Sequence, residues 1–212
     1  MYSSFYLIRK DFALIRKFVL LLIPYFILMG YTNFDSYTMF TLFPAMLLLI
    51  NSCTMDVQHN NQKFLVSLPL RRQQLVLAKY LALIPYCVIS LVFTLLLYTA
   101  GYAFGLTSEP LAWREILLSI GSFPVLAAIY LPLHYWLGQK GAQVVNLIFI
   151  MMIMLNVTAF SRLTQKVPVF SNWILTGNTD GVLIPLIAGL AYIVVIYSSY
   201  LLSLRIFLKK DV

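Results

Sequence analysis

The sequence predicts an all-α polytopic membrane protein with six transmembrane helices and an N-terminal amphipathic interfacial helix. Three observations lead there. Charged residues make up 10% of the chain and hydrophobic residues 61%, with a mean hydropathy of +0.88, whereas a soluble globular chain carries about 25% charged residues. Fifteen Lys and Arg with seven Asp and Glu are too few to cover a water-facing surface, which excludes a soluble enzyme, a disordered tail and a secreted disulfide scaffold. The charge-free runs are also of span length, and the cations fall on alternate connections between them. Two cysteines, Cys53 and Cys87, lie in apolar stretches and read as small core hydrophobes.

The first element is residues 1–17. Leu-Ile-Arg-Lys occurs at Leu7–Lys10 and again at Leu14–Lys17. At about 100° per residue, Arg9, Lys10, Arg16 and Lys17 gather on one side of a helix. Phe5, Leu7, Ile8, Phe12, Leu14 and Ile15 take the other, with Asp11 as the single exception. This pattern describes a helix lying in the inner-leaflet interface, with Arg9 and Arg16 as anchors. It either sets topology alone or also borders a partner protein.

A membrane domain follows over 18–212. A hydrocarbon core of about 30 Å needs about 20 apolar residues per helix. Runs free of Asp, Glu, Lys and Arg cover 18–34, 36–55, 80–108, 116–139, 141–161 and 181–204. Each suits one span. The first reads as a span and not as a cleaved signal, because no small-residue cleavage site follows it. Prolines 24, 44, 85, 124, 132 and 185 fall inside spans, where membrane helices tolerate them, often with a kink. Tyr25, Tyr31, Tyr37, Tyr80, Tyr98 and Tyr102 near span ends suit an aromatic belt.

Six spans put both termini and the second and fourth connections on one side. That side holds Arg9, Lys10, Arg16, Lys17, Lys63, Arg71, Arg72, Lys79, Lys140, Arg205, Lys209 and Lys210, against Arg114, Arg162 and Lys166 on the other. The positive-inside rule then places both termini in the cytoplasm. The same asymmetry accounts for the net charge of +8 without nucleic acid.

Chemistry-bearing motifs are absent. There is no Gly-x-x-x-x-Gly-Lys-Ser/Thr or Gly-x-Gly-x-x-Gly, so neither device for binding a nucleotide is present, and no Gly-x-Ser-x-Gly elbow. His59 and His134 stand far apart with no second ligand at metal spacing. No catalytic or metal residue is expected. No acidic residue lies within a span, which weighs against a proton- or sodium-coupled carrier. The polar groups in spans, Asn51, Asn146, Asn156 and His134, either line a pathway or hydrogen-bond between helices.

The longest aqueous segment is the second connection, 56–79. It opens polar (Asp56, Gln58, His59, Asn60, Asn61, Lys63), turns apolar from Phe64 to Pro69, and restarts from Leu70 as a basic helix carrying Arg71, Arg72 and Lys79. It is too short to fold alone. A short helix and a proline turn there form either a rigid handle for a cytosolic partner or a topogenic loop.

Ser67-Leu68-Pro69-Leu70-Arg71-Arg72-Gln73-Gln74-Leu75-Val76-Leu77-Ala78-Lys79-Tyr80 resembles the corresponding loop of small ABC-2 type permeases, the membrane subunits of bacterial ATP-binding-cassette exporters. Leu68-Pro69, Arg72, Leu75-Val76 and Lys79-Tyr80 match; Arg71 departs from the family's Ser or Thr. The amphipathic start and six-span plan agree as well. The subgroup that looks most similar comprises phenol-soluble modulin exporters and lantibiotic-immunity and bacitracin-resistance permeases.

The resemblance implies a multi-pass permease of the bacterial plasma membrane that exports a lipophilic or amphipathic substrate, such as a peptide. It would hold no cofactor itself, with ATP and Mg on a separate ATPase subunit. It further implies a second permease as partner, a homodimer or a sister chain, besides the membrane lipids. Asp56, Gln58, His59, Asn60, Asn61, Lys63 and Phe64 would form the coupling helix that docks on the ATPase. Arg71, Arg72 and Lys79 would be inner-leaflet anchors. The substrate wall would draw on Phe43 and Met46 of the second span and Met151, Met154 and Asn156 of the fifth, unless these residues simply pack the bundle. The competing readings are an ATP-independent channel or carrier, and a small intramembrane enzyme or regulatory protein.

Overall fold

The computed structural model describes residues 9–11, 15–16, 18–20, 22–24, 37–57, 72–105, 113–166 and 183–209. Among them there is no strand. The four long helices are α1 (Tyr37–Val57), α2 (Arg72–Ala103), α3 (Trp113–Lys166) and α4 (Leu183–Lys209). The described N-terminal residues are helical too. Three stretches, Arg72–Ala103, Ser119–Gly138 and Gly189–Lys209, are long and apolar enough to cross a membrane, and Thr41–Asp56 and Gly141–Met152 are shorter apolar helices. Helices suit this composition because they satisfy every backbone polar group internally, as a bilayer requires. The chain is therefore an all-α polytopic membrane protein.

Side-chain bonds between helices fix their relative directions. Moving along α1 from Thr41 to Ser52 moves the bonded partner on α2 from Ser90 back to Lys79, so these two helices are antiparallel. Arg72 of α2 reaches the Leu208 carbonyl of α4, while Tyr80 reaches Ser199 and Ser203; they too are antiparallel. The first arm of α3 and α4 instead run parallel. Gly121, Ala128 and Tyr135 on α3 meet Tyr192, Ser199 and Phe207 on α4. Steps of about seven residues along this seam match the near-parallel packing of helices whose contact stripe repeats every 3.5 residues.

The chain must therefore travel back between α3's first arm and α4, and α3's second arm makes that return. Gly138 is the hinge. Its φ of 62° and ψ of −156° are non-helical and lie where only glycine is comfortable. Tyr130 and Asn146, one on each side of it, are hydrogen-bonded across the fold-back. Pro124 and Pro132 lie within α3's helical run, so the sharp bend is at glycine and not at proline. At the far end of α2, Gly105 adopts φ 68° and its N–H bonds the Tyr102 carbonyl at 3.2 Å, a glycine stop of the left-handed kind.

Burial is inverted relative to a soluble bundle. On α2 the inward stripe runs through Val76, Lys79, Leu83, Tyr86, Ser90 and Thr94. The outward one runs through Leu77, Leu81, Ile84, Val88, Val92 and Leu96. Small and hydroxyl residues (Ala78, Ala82, Ser90, Thr94, Gly101) share the inside with Val76, Leu83 and Tyr86, and large aliphatics line the outside, the arrangement of a helix packed among helices in lipid. The apolar core brings Met46 and Leu49 of α1 against Ala82 and Tyr86 of α2 and Phe123, Ala127 and Tyr130 of α3. Ile15 and Leu22 of the N-terminal segment join it. Cys53 and Cys87 are free thiols.

Gly138→Ala forces a side chain into a glycine-only backbone region, at a cost of about 1–3 kcal/mol. Thermal unfolding of the purified variant in detergent should start at a lower temperature. An unchanged transition would mean that the bend does not depend on Gly138.

Candidate functional site

The second connection was expected to span 56–79, but helix occupies both of its ends. α1 runs through Asp56 to Val57 and α2 starts at Arg72. Gln58, His59, Asn60, Asn61, Lys63, Phe64 and Arg71 lie outside the described residues. The two helix ends that flank this segment converge on one polar cluster.

That cluster is a buried ion quartet. Lys79 Nζ donates to Asp11 Oδ2 at 2.7 Å and to Ser52 Oγ at 2.6 Å, and lies 2.6 Å from Asp56 Oδ2. These contacts use all three ammonium protons. Lys10 Nζ donates to Asp56 Oδ1 at 2.7 Å and lies 3.4 Å from Asp11 Oδ1. Lys79 is 7% exposed and Asp11 3%. Two cations face two carboxylates, so the quartet is neutral and each buried charge has an opposite neighbour, as burial demands. The residues come from the N-terminal helix, the end of α1 and the second turn of α2. The quartet thus ties the N-terminal helix to both flanks of the second connection.

This geometry corrects two sequence expectations. Lys79 is no anchor at the lipid surface, because its ammonium turns inward onto Asp11 and Asp56. The Asp56 carboxylate likewise faces Lys10 and Lys79 instead of projecting as a docking surface. Arg9 and Arg16 are exposed, and Arg72 is half-buried with Nη1 3.4 Å from the Leu208 carbonyl. Arg72 thereby supplies a donor and a positive charge to the C-terminal end of α4, where backbone carbonyls lack partners.

Two further polar seams lie near the same end. Ser199 Oγ donates to the Ala128 carbonyl at 2.5 Å. With that proton committed, Ser199 accepts from Tyr80 Oη at 2.7 Å, and Ser203 donates to Tyr80 at 3.0 Å. The relay joins α2, α3 and α4. Tyr80 therefore belongs to the helix interfaces and not to an aromatic belt. In the other seam Tyr130 Oη donates to Asn146 Oδ1 at 2.7 Å, and Asn146 Nδ2 donates to Thr54 Oγ1 at 2.9 Å. Buried His134 stacks on Tyr130. Asn146 thus links α1 to both arms of α3, whereas the stacking of His134 on Tyr130 stays within α3; buried Asn51 Nδ2 has no hydrogen-bond partner among the described residues.

The residues named for a substrate wall separate. Phe43 (5% exposed) and Met46 (0%) pack inside the chain's own core, so they front no open path. Met151 is 56% exposed on the second arm of α3. Met154 and Asn156 are on the same helix, with side chains outside the described residues. Among the described residues no group of three or more His, Cys, Asp or Glu is placed to hold a metal ion.

Sequence reasoning overlooked Asp11, Ser52, Tyr130, Ser199 and Ser203. Only Asp11 had left a signal, as the one acid on an apolar helix face.

Removing one partner from a buried ion pair costs about 3–5 kcal/mol. Lys79→Met leaves two carboxylates with one cation and should lower the unfolding temperature of the purified chain strongly. Adding Asp11→Asn restores neutrality and should recover part of the loss. If both variants unfold with the parent, the quartet does not hold the three segments together.

The comparisons with known proteins agree with this architecture. The sequence model described as ABC-2 family transporter protein matches residues 6–208. No curated protein and no solved structure matches the chain. The match takes in the N-terminal ion-pair residues, all four long helices and the second connection. The chain belongs to the ABC-2 family of transporter proteins, as the membrane-embedded permease component that pairs with an ATP-binding-cassette subunit.

Proposed function

We propose that this permease exports an amphipathic or lipophilic substrate, a peptide being the class that suits it best, and that the polar segment following Asp56 is the dock for its ATPase. The observation that carries this reading is the ion quartet, which pins both flanks of 58–71 to each other and to the N-terminal helix. A force delivered to the two flanks meets segments that are already tied together. It moves α1, α2 and the N-terminal helix as one piece. A chain with no nucleotide motif needs such a device, because its energy arrives from another protein.

In this reading both termini and the second connection are cytoplasmic, in a bacterial plasma membrane, and six spans cross it. Two permeases, identical or sister chains, face each other and the substrate moves between them. The second arm of α3, with Met151, Met154 and Asn156, is the favoured wall. Methionine is flexible and polarisable and tolerates varied apolar ligands.

Two experiments test this. Alanine at Gln58, Asn60, Asn61 and Lys63 together should leave the permease in the membrane but abolish the rise in ATPase activity on substrate addition, measured in proteoliposomes with the cognate ATPase. Normal coupling would remove the dock from this segment. In a chain with Cys53 and Cys87 replaced by Ala, a membrane-impermeant thiol reagent applied outside cells should label Asn178→Cys and spare Asn60→Cys. The reverse pattern would invert the topology and place the segment out of an ATPase's reach.

A further inference from the structure

Beside the parallel seam of α3 and α4 lies an open groove of about 460 Å³. Ile129, Pro132, Leu133 and Trp136 line it from α3, and Leu202 and Ile206 from α4. The volume is in the range of small-ligand sites, but the lining is almost wholly apolar and the groove opens along the outer surface of the bundle. No polar group in it would orient a water-soluble ligand. In a membrane chain such a surface meets lipid.

Because α3's first arm and α4 run parallel, the end of the groove toward the Gly138 hinge gathers interfacial residues from both helices. Toward the Gly138 hinge, Trp136 is 68% exposed, as suits an indole at the level of the lipid headgroups. Just beyond Leu202 and Ile206, α4 carries Arg205 and Lys209, both exposed. At about 100° per residue, Lys209 falls on the same stripe as Leu202 and Ile206, one turn closer to the helix end, and Arg205 flanks that stripe. Neither cation forms an ion pair with a described residue. By contrast Lys10 and Lys79 are paired within the quartet. Two free cations at the headgroup level, above a groove shaped for a hydrocarbon chain, match a ligand with an anionic head and an apolar tail.

We propose that this groove is a selective site for an anionic phospholipid, one acyl chain lying along α3 and α4 and its phosphate meeting Arg205 and Lys209. The site is separate from the proposed substrate wall on the second arm of α3. It stands whichever way the chain is inserted, and whatever the substrate is. The bound lipid closes the side of the α3–α4 seam, next to the contact between Tyr135 and Phe207.

Trp136 is a built-in reporter. The full chain carrying Trp113→Phe and Trp173→Phe, reconstituted in vesicles, leaves it as the sole indole. Quenching is then compared between brominated-chain phosphatidylglycerol and brominated-chain phosphatidylcholine, each titrated into unbrominated phosphatidylcholine. The expected result is stronger quenching by phosphatidylglycerol at equal mole fraction. Each basic residue near an anionic surface contributes about fivefold in affinity. Arg205→Gln with Lys209→Gln should therefore remove most of the preference while leaving quenching by phosphatidylcholine unchanged. Leu202→Phe with Ile206→Phe fills the groove and should reduce quenching by both lipids. Equal quenching by the two lipids in the parental reporter overturns the proposal, and that measurement needs no surface variant to fold. Weak quenching by either lipid that rises on dilution of the protein would overturn it too, by showing that a second copy of the chain covers the groove.

Discussion

The structure depends on a neutral ion quartet placed where a hydrophobic bundle can least tolerate an isolated charge. Lys79, Asp11, Asp56 and Lys10 come from three separate stretches of chain and bring three chain segments to one point. An unpaired buried charge is far more costly than a missed apolar contact. Apolar packing alone would let the N-terminal helix slide along α1 and α2, because one aliphatic contact replaces another at little cost. The quartet removes that freedom. Ser52 accepts from Lys79 as well, which leaves the ammonium no spare proton to trade for a different register.

The seams that follow from this point extend the same logic across the bundle. α2 meets α1 through Lys79 and meets α4 through Tyr80, the next residue. Adjacent helical positions are about 100° apart, so one turn of α2 serves both neighbours. Tyr80 in turn relies on Ser199, which reaches the Ala128 carbonyl of α3. The Tyr130–Asn146–Thr54 seam closes the circuit back to α1. Individually such interhelical bonds in membranes are worth only about 0.6 kcal/mol. Their joint effect is directional: each fixes one helix pair in one register, and together they determine which helices run parallel.

Much of the fold was legible in the sequence, because the bilayer imposes so strong a filter on composition. The charge-free run 181–204 predicted α4 to within about five residues at each end, and the run 80–108 covers most of α2, whose start at Arg72 falls in the basic helix read from Leu70 onward. The break between 116–139 and 141–161 was visible through Lys140, although the backbone bends at Gly138, which the charge pattern could not distinguish from its neighbour. The site was much less legible. Lys79 looked like any cation at the foot of a span, since helix periodicity gives its angle but not its neighbour. Tyr80 passed for a belt aromatic for the same reason. Ser199 and Ser203 are hydroxyls in an apolar run, and only the approach of α2 makes them partners. Asp11 was the exception: an acid on the apolar face of an amphipathic helix contradicts its local pattern, and it proves to be 3% exposed beside two lysines.

Several of the described polar contacts gather at one end of the bundle. The quartet, the Tyr80 relay, the Asn146 seam, the Gly138 hinge and the Arg72–Leu208 contact all lie toward the end where α1 stops, α2 starts and α4 finishes. Elsewhere Ser90 donates to the Thr41 carbonyl and Tyr192 to the Gly121 carbonyl. Specific polar bonds resist a change of partner, whereas aliphatic surfaces slide over one another at lower cost. The end that holds the quartet is therefore built to move as one unit: the N-terminal helix, α1 and α2 share four charges that none of them can leave unpaired. If the ATPase docks at 58–71, as proposed, a displacement entering there would reach all three segments together. Such a shared foothold is what a permease requires if its energy is supplied by another protein.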